Sequence, residues 1–457
     1  MSRYDAIVIG AGPAGEVCAG ELAEGGMRVA IVERELVAGE CSFWACMPTK
    51  TLLRPGEAVA AALQTPGAGA AVTGSIDVAE ALAWRDSVVA GYDDTGQVGW
   101  LTDRDIDLIR GLGTIAGPGR VAVGDVIYET DRIVLATGSK PIIPPIPGLR
   151  DLDGVWTNRE VTGMTSVPKS IVILGGGAVG VEMAQALRRF GSEITLVEGS
   201  AHLLAREAPA LGALLAEQFR SEGIDVRLGQ HASGASSTAN GYALAFPDGR
   251  EVVAEKLLVA TGRSPRIEGL GLENVGIDSN PRGIPVDERL RAADGVWAVG
   301  DCNGVLAFTH VGKYQGRIAA ADMLGKPACA DYRAVPRVVF TDPQLAAVGV
   351  IDGEYTATTS LASVARSYTY TRPAPVGFLT LVSDGRVLTG AYAAGPEAGE
   401  WLQQATLAIR AEIPLDVLYD TIQPFPTFSE LFLKATGELR SACPDCLTAT
   451  QTAMTSV

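Results

Sequence analysis

Two glycine-rich segments with the same spacing constrain the fold of this 457-residue chain more than any other feature. Residues 10–15 read G-A-G-P-A-G and residues 175–180 read G-G-G-A-V-G, and each segment follows a short aliphatic run. In both copies a glutamate stands 23 residues after the first glycine (33 − 10 and 198 − 175), as Glu33 and Glu198. This spacing is typical of the strand–turn–helix–strand unit that binds dinucleotides. The sequence therefore predicts two such units in one chain.

Each glycine of this pattern has its own mechanical reason. The first makes the turn, the second lets the backbone approach a pyrophosphate, and the third lets the helix pack on the strand. The pyrophosphate then meets a helix N-terminus, where free N–H groups and the helix dipole favour anions. The candidate nucleotide-binding residues are Gly10, Gly12, Pro13, Ala14, Gly15, Glu33 and Arg34 in the first unit, and Gly175, Gly177, Val179, Gly180 and Glu198 in the second.

A close pair of cysteines, Cys41 and Cys46, follows the first unit and precedes Pro48 and Lys50. On a regular α-helix, residues five apart are roughly 8–9 Å apart at the Cα atoms. A disulfide needs about 4.4–6.8 Å. If these cysteines form a bond, their segment must therefore be a distorted helix start or a loop. Two buried free cysteines are the alternative, because cysteine is often buried without a chemical role.

The order of these motifs resembles that of the pyridine nucleotide–disulfide oxidoreductases, the family of dihydrolipoamide dehydrogenase, glutathione reductase and mercuric reductase. The resemblance lies in the C-x-x-x-x-C-x-P-x-K segment, two A-T-G segments at 136–138 and 260–262, Gly300–Asp301, and the run V-P-R-V-V-F-T-D-P-Q that begins at Val335. It covers nearly the whole chain.

The resemblance implies an α/β fold with two Rossmann-like, doubly wound dinucleotide-binding domains and a C-terminal α+β dimerisation domain. We expect an FAD-binding domain in residues 1–147 that continues in 267–334, and an NAD(P)H-binding domain in 148–266. The dimer interface would occupy 335–457, with a redox-candidate tail at 441–457. A homodimer follows from the same resemblance.

The resemblance also implies roles for single residues. Cys46 would face the flavin as the charge-transfer thiol, and Cys41 would meet the substrate. Lys50 would lie beside the flavin and pair with Glu182. His310 matches a position near the flavin in dihydrolipoamide dehydrogenases. The alternative is a structural histidine whose hydrogen bonds are made within the protein. Further flavin contacts are expected from Thr137, Gly138, Gly262, Gly300, Asp301 and His310.

Glu198 bears on which nicotinamide nucleotide the second unit binds. Its carboxylate would accept from a free 2′-hydroxyl and repel a 2′-phosphate, and the next arginine along the chain is Arg206. We therefore expect NADH as the reductant, with NADPH a poorer one.

The chain departs from the family near its C-terminus. Disulfide reductases of the family carry H-P-T-x-x-E there, whereas residues 425–430 read F-P-T-F-S-E. Glu430 remains, but Phe425 replaces the histidine that would act as general acid and base in the partner subunit. Such catalysis is typically worth 10²–10⁴-fold, so we expect slow turnover of ordinary disulfides.

The tail contains a second close cysteine pair, Cys443 and Cys446. A C-x-x-C segment can hold a thiolate near neutral pH. These cysteines are candidates for a catalytic relay or for handling a soft metal ion. Half of a zinc site, which needs four ligands, and no role at all are the alternatives; no resident metal is expected.

The composition of the chain limits the classes of molecule that it is expected to bind. The net charge of −16 argues against nucleic acid and anionic membrane surfaces. Because residues 4–9 form a strand-like run that no basic and then apolar leader precedes, we expect a cytoplasmic protein. In such a chain an odd count of seven cysteines does not suggest a structural disulfide framework. We expect a small thiol or disulfide substrate, with a soft metal ion such as mercuric ion or a quinone as the alternatives. A non-catalytic flavoprotein, serving as a redox sensor or complex subunit, is a further hypothesis.

Overall fold

The first dinucleotide-binding sheet is built around the strand that leads into residues 10–15. The computed structural model describes residues 3–278 and 280–443. All neighbouring strands of this six-stranded sheet are parallel except the first pair, which is antiparallel. In spatial order the strands are β18 (Arg291–Ala293), β19 (Val296–Ala298), β8 (Ile133–Leu135), β2 (Ala6–Ile9), β3 (Val29–Glu33) and β4 (Asp107–Arg110).

The second dinucleotide-binding sheet has four parallel strands around the second glycine segment. Its central strand reads S-I-V-I-L, and the corresponding strand of the first sheet reads A-I-V-I. Strands covered on both faces are continuous apolar runs rather than alternating ones. In spatial order the strands are β12 (Asp225–Arg227), β11 (Glu193–Val197), β10 (Ser170–Leu174) and β16 (Lys256–Val259).

Three smaller sheets complete the N-terminal two thirds of the chain. The two-stranded one pairs the segments that follow the two A-T-G motifs, so the two crossings between domains lie side by side. The sheets are β1 (Arg3–Tyr4), β7 (Val126–Thr130), β6 (Arg120–Val123) and β5 (Gly113–Gly117); β13 (Gly234–Thr238), β14 (Gly241–Ala245) and β15 (Glu251–Ala254); and β17 (Arg263–Pro265) with β9 (Ser139–Pro141).

The C-terminal region is an antiparallel five-stranded sheet with helices packed on it. Its strands, in spatial order, are β20 (Pro336–Val339), β21 (Gln344–Gly349), β24 (Leu388–Gly395), β23 (Phe378–Ser383) and β22 (Tyr355–Ser360). The predicted fold class, two Rossmann-like units followed by an α+β region, is confirmed.

Thirteen helices occur in the described part of the chain. They are α1 (Pro13–Glu24), α2 (Gly39–Phe43), α3 (Cys46–Gln64), α4 (Val78–Val88), α5 (Thr95–Thr102), α6 (Asn158–Thr162), α7 (Ala178–Arg189), α8 (Pro209–Ser221), α9 (Thr309–Met323), α10 (Ala398–Trp401), α11 (Gln403–Arg410), α12 (Leu415–Asp420) and α13 (Glu430–Ala442). Among the helices in the described ranges, none has the length and apolar character that a bilayer crossing requires.

Helices α1 and α9 cross at small residues, and this crossing positions the site described below. A Cβ atom on Gly316 would lie 2.7 Å from the Ala14 carbonyl oxygen, and one on Gly312 would lie 3.1 Å from the Ala14 Cβ. Because both positions are glycine, the first turn of α9 lies directly against the first turn of α1. The start of α9, at Thr309, is thereby brought to the cysteine segment.

Candidate active site

The two cysteines lie at the junction of two separate helices. Cys41 is inside α2, Cys46 is the first residue of α3, and Trp44 and Ala45 connect them with non-helical backbone angles (φ −139°, ψ −98° at Ala45). The predicted distortion of this segment is therefore present. Both cysteines are half-buried free thiols.

Thr309, the first residue of α9, lies between the two sulfurs. Its Oγ1 lies 3.2 Å from Cys41 Sγ and 3.5 Å from Cys46 Sγ, so its one hydroxyl hydrogen can be donated to either sulfur. No sequence motif marks Thr309, although the neighbouring His310 was a candidate. The one signal was its position at a helix start that immediately precedes that histidine.

The two thiols differ in acidity. The hydrogen bond from the Cys41 thiol lowers the pKa of Cys46 to about 6; burial opposes this shift, while Thr309 and the charge of Lys50 support it. The start of a helix also favours a thiolate. The same hydrogen bond, together with burial, raises the pKa of Cys41 above its ordinary range. At neutral pH the pair therefore holds one proton on Cys41 and a negative charge on Cys46.

Lys50 lies one helical turn after Cys46 on α3 and pairs with Glu182 of α7. Its Nζ is 2.8 Å from Glu182 Oε2, and the other carboxylate oxygen accepts from the Phe340 backbone N–H at 2.9 Å. Glu182 is 3% exposed, so its charge is compensated on both oxygens. The expected pairing of these two residues is present.

An arginine from α6 braces the segment between the cysteines. Arg159 donates to Glu40 Oε1 from Nε at 2.8 Å and from Nη2 at 2.6 Å, and its guanidinium lies 4.0 Å from the centre of the Trp44 ring. Asn158 Nδ2 donates to Glu40 Oε2 at 3.0 Å and to the Trp44 carbonyl at 2.8 Å. One short helix therefore fixes the residue before Cys41 and a residue between the cysteines.

The region between residues 60 and 130 also contributes contacts to the segment between the cysteines. Tyr92 stacks on Trp44, with ring centroids 6.0 Å apart, and on Phe43 at 6.4 Å. It has a positive φ of 62°, which directs the ring back toward the cysteine segment. Buried Arg85 donates to the Met164 carbonyl at 2.8 Å and holds α4 against the end of α6.

The two glycine segments have the same geometry. Gly10 and Gly175 have φ values of 107° and 113°, and a Cβ atom on either would lie 2.3 or 2.4 Å from the backbone oxygen of the alanine that begins an A-T-G motif, Ala136 or Ala260. In contrast, a Cβ on Gly12 or Gly177 would meet nothing within 4 Å. The first glycine is thus required by packing, and the second faces open space at a helix start. A pyrophosphate bound as the sequence predicts would approach the backbone through this space.

The glutamates that follow the two units are held in matching ways. Glu33 accepts from the backbone N–H groups of Ala11 and Glu35, both at 2.8 Å. Glu198 accepts from the equivalent groups of Gly176 at 2.6 Å and Ser200 at 2.7 Å. Each carboxylate is therefore anchored by the backbone at the edge of its glycine segment.

The other candidate flavin contacts are held by hydrogen bonds within the chain or lie at turns. Asp301 accepts from Ser139 Oγ at 2.6 Å, and Thr137 Oγ1 donates to the Arg266 carbonyl at 2.6 Å. Gly138, Gly262 and Gly300 all have positive φ. His310 is exposed, and its Nε2 is 2.8 Å from the Pro336 carbonyl oxygen; such a hydrogen bond is what a structural histidine needs.

The remaining candidates lie further out. Arg34 is 3.7 Å from Glu35 in an ion pair, and Val179 is partly exposed at the start of α7. Pro13 and Ala14 form the first turn of α1.

The C-terminal candidates are arranged around an exposed loop. Phe425 is 75% exposed, and Glu430 Oε2 accepts from the Thr427 N–H at 3.3 Å, so the glutamate caps its own loop. Cys443 follows α13, is buried and is disulfide-bonded. Cys446 lies outside the described residues.

Comparisons with known proteins decide the family. The family model described as "Pyridine nucleotide-disulphide oxidoreductase" matches residues 4–316, and the one for its dimerisation domain matches residues 335–436. The chain belongs to the pyridine nucleotide-disulphide oxidoreductase family. The resemblance inferred from the cysteine segment and the two glycine segments is thus confirmed.

Relatives within the family have several activities. The chain is 35% identical to a dihydrolipoyl dehydrogenase of Thermus scotoductus, over 96% of this chain and 98% of that one. It is 34% identical to a mercuric reductase of Acidithiobacillus ferrooxidans, over 93% and 80%. The structure of the HOCl-induced flavoprotein disulfide reductase RclA of Escherichia coli, in its Cu(II) complex, superposes with a TM-score of 0.85 at 28% identity, covering 96% and 100%.

Members of this family are oxidoreductases that bind FAD, use NAD(P)H and act on sulfur groups, and this chain is one of them. The residues fit FAD, because Gly12 leaves open space at the start of α1 and Glu33 and Asp301 present carboxylates beside it. When bound, FAD would supply the redox chemistry between a nicotinamide and sulfur, and Cys41 and Cys46 are the two thiols that would exchange electrons with it. The dimerisation domain indicates a homodimer.

Proposed function

We propose that Cys46 is the thiol that faces the flavin and that Cys41 is the thiol that attacks the acceptor. The difference in acidity between the two sulfurs carries this assignment. Cys46 begins α3 and has Lys50 one turn away, so it is the sulfur on which a negative charge is stabilised. Cys41 holds the proton and lies on the side of Thr309 and Lys313.

Anaerobic titration of the flavin-loaded enzyme with NADH tests this assignment. We expect uptake of more than two electrons and a long-wavelength band from a thiolate next to the flavin. Cys46→Ser should abolish the band with FAD still bound, and Cys41→Ser should retain it. A band that survives in Cys46→Ser would reverse the assignment, and uptake of only two electrons by the native enzyme would remove the dithiol from the reaction.

We propose NADH as the preferred reductant. The support is Glu198, whose carboxylate is held by two backbone N–H groups where the adenosine ribose of a bound nucleotide is expected. A fixed negative charge at this position favours a hydroxyl over a phosphate. The remaining nucleotide contacts and the domain boundaries are proposed as the sequence predicts them.

The proposed acceptor is a small disulfide that reaches Cys41. A soft metal ion is the second candidate, favoured by the replacement of the acid–base histidine by Phe425, because metal reduction needs no protonation of a leaving thiolate. One relative is a mercuric reductase, and one similar structure is a Cu(II) complex. A steady-state comparison of dihydrolipoamide, glutathione disulfide, Hg²⁺ and Cu²⁺ as partners of NADH separates these acceptors, with a quinone as a fifth arm.

Two further assignments complete the proposal. Cys443 and Cys446 remain candidates for a relay from the inner cysteines to the acceptor, and deletion of residues 444–457 should slow the acceptor reaction while leaving flavin reduction intact. A cytoplasmic location is supported by five free thiols among residues 3–278 and 280–443, including the exposed Cys329.

A further inference from the structure

Thr309 is the shared hydrogen-bond partner of the two reacting sulfurs. Its Oγ1 is 3.2 Å from Cys41 Sγ and 3.5 Å from Cys46 Sγ, within the range for bonds to sulfur. A hydroxyl has one hydrogen to donate and turns freely about its C–O bond. Only one of the two sulfurs can therefore receive that hydrogen at any moment.

The reaction requires the negative charge to occupy each sulfur in turn. In the resting dithiol the proton is on Cys41 and the charge on Cys46. Before Cys41 can attack an acceptor, its proton must leave; transfer of that proton to Cys46 moves one negative charge from Cys46 to Cys41 without any change in electron count. The family's histidine would otherwise take this proton, and here Phe425 stands in its place.

We propose that Thr309 is a catalytic residue whose single hydroxyl hydrogen follows the negative charge between Cys46 and Cys41, and so stabilises each thiolate when it forms. This inference rests on the proposed roles of the two cysteines. It also explains why the hydroxyl belongs to the first residue of α9, because the crossing with α1 fixes that residue beside both sulfurs.

The charged groups around the two cysteines favour a negative charge on either sulfur. Lys50 acts on Cys46 and is itself balanced by Glu182. Lys313, one turn after Thr309 on the same helix, lowers the pKa of Cys41. Glu40, the residue before Cys41, is neutralised by Arg159. Each sulfur thus has one lysine whose charge favours its thiolate, and Thr309 is the group that contacts both sulfurs.

The test uses Thr309→Val, which removes the hydroxyl at nearly constant volume, and Thr309→Ser, which keeps it. The pH midpoint of the long-wavelength band in the two-electron-reduced enzyme measures the acidity of Cys46. Loss of one hydrogen bond to a charged group should raise that midpoint by about one pH unit in the valine variant. The serine variant should keep the native midpoint.

A second measurement addresses Cys41 and does not depend on the flavin. The rate of Cys41 alkylation by iodoacetamide at fixed pH reports its thiolate fraction, and it should fall about tenfold in Thr309→Val. Mass spectrometry assigns the alkylated cysteine. Flavin content and thermal unfolding report whether the variants are folded, and Thr309→Ala serves if the valine variant is not.

An unchanged midpoint and an unchanged alkylation rate in a folded valine variant would overturn the role of Thr309. A serine variant that behaves like the valine variant would also overturn it, because the effect would then come from packing. A native enzyme without the long-wavelength band would instead contradict the proposed function, while the alkylation rates would still decide the role of the hydroxyl.

Discussion

Lys50 and Glu182, 132 residues apart in the chain, are joined by a 2.8 Å ion pair behind the reactive sulfurs. Since Lys50 lowers the pKa of Cys46 and Glu182 raises it, the two residues oppose each other at that thiol.

Substitutions of this pair should move the acidity of Cys46 in opposite directions. Lys50→Met should raise the pH midpoint of the long-wavelength band, and Glu182→Gln should lower it, because the lysine charge is then no longer balanced. A spectrophotometric pH titration of each two-electron-reduced variant makes the comparison. Shifts of the same sign in both variants would contradict this account.

The same pair predicts a stability difference between two changes at Glu182. Glu182→Gln keeps an acceptor for the Phe340 N–H, whereas Glu182→Ala leaves that half-buried group without one. The alanine variant should lose about 1–3 kcal/mol more of the free energy of unfolding than the glutamine variant. Denaturant unfolding of the two variants measures the difference, and equal losses would contradict the role of the second oxygen.

The pH dependence of the native enzyme follows from the acidity of Cys46. Its thiolate is present above about pH 6 and is protonated as the pH falls through that value. The long-wavelength band should therefore be complete at pH 8 and largely absent at pH 5. A band that persists unchanged at pH 5 with FAD bound would place the thiolate on a more acidic group.

The choice of reductant should depend on the charge of Glu198. Glu198→Gln keeps a hydrogen-bond acceptor but removes the repulsion of a 2′-phosphate, so the ratio of kcat/KM for NADH to that for NADPH should fall about tenfold or more. Glu193→Gln, at the exposed start of the same strand, is the matched control. An unchanged ratio in Glu198→Gln would remove the carboxylate from nucleotide selection.

The cysteine segment should loosen when the stack on Trp44 is lost. Arg159→Lys keeps the positive charge but not the flat guanidinium that lies on the ring. Loss of about 1 kcal/mol should make backbone amides of residues 40–45 exchange about fivefold faster. Hydrogen exchange with mass spectrometry measures this rate, and Lys140→Met, which breaks an exposed pair with Glu268, should leave it unchanged.

A proton donor at position 425 should restore ordinary disulfide turnover. Phe425→His should raise kcat for lipoamide or glutathione disulfide by about tenfold or more, because general acid–base help of this kind is worth 10²–10⁴-fold. Ile422→His, three residues earlier in the same exposed loop, provides the control. Equal gains in both variants would show that position 425 has no special access to the sulfurs.

The parts of the site that the sequence predicts are those in which the backbone dictates residue type. Gly10 and Gly175 occupy turns with positive φ where a Cβ atom would meet a backbone oxygen, so glycine recurs at a fixed spacing. The Lys50–Glu182 pair was accessible through the family resemblance, since a lysine beside a cofactor needs an anion.

The parts that sequence reasoning missed depend on contacts between distant and individually ordinary residues. Thr309 meets sulfurs more than 260 residues away, and a threonine at a helix start carries no sign of that. Tyr92 and Arg159 reach the cysteine segment from an inserted helical region and a five-residue helix, neither of which shows a motif. Their role arises from packing, which a single sequence does not encode at any fixed spacing.

The matching anchors of Glu33 and Glu198 have a consequence for how the enzyme distinguishes its two nucleotides. Each carboxylate is held by its own pair of backbone N–H groups, and the two pairs are equivalent in position. Binding at either site therefore needs little further ordering of the acidic side chain. If both units bind nucleotides as proposed, the shared scaffold would hold the adenosine in the same way in either half. Discrimination between a permanently held cofactor and an exchangeable one must reside in the side chains that close over the remainder of each molecule.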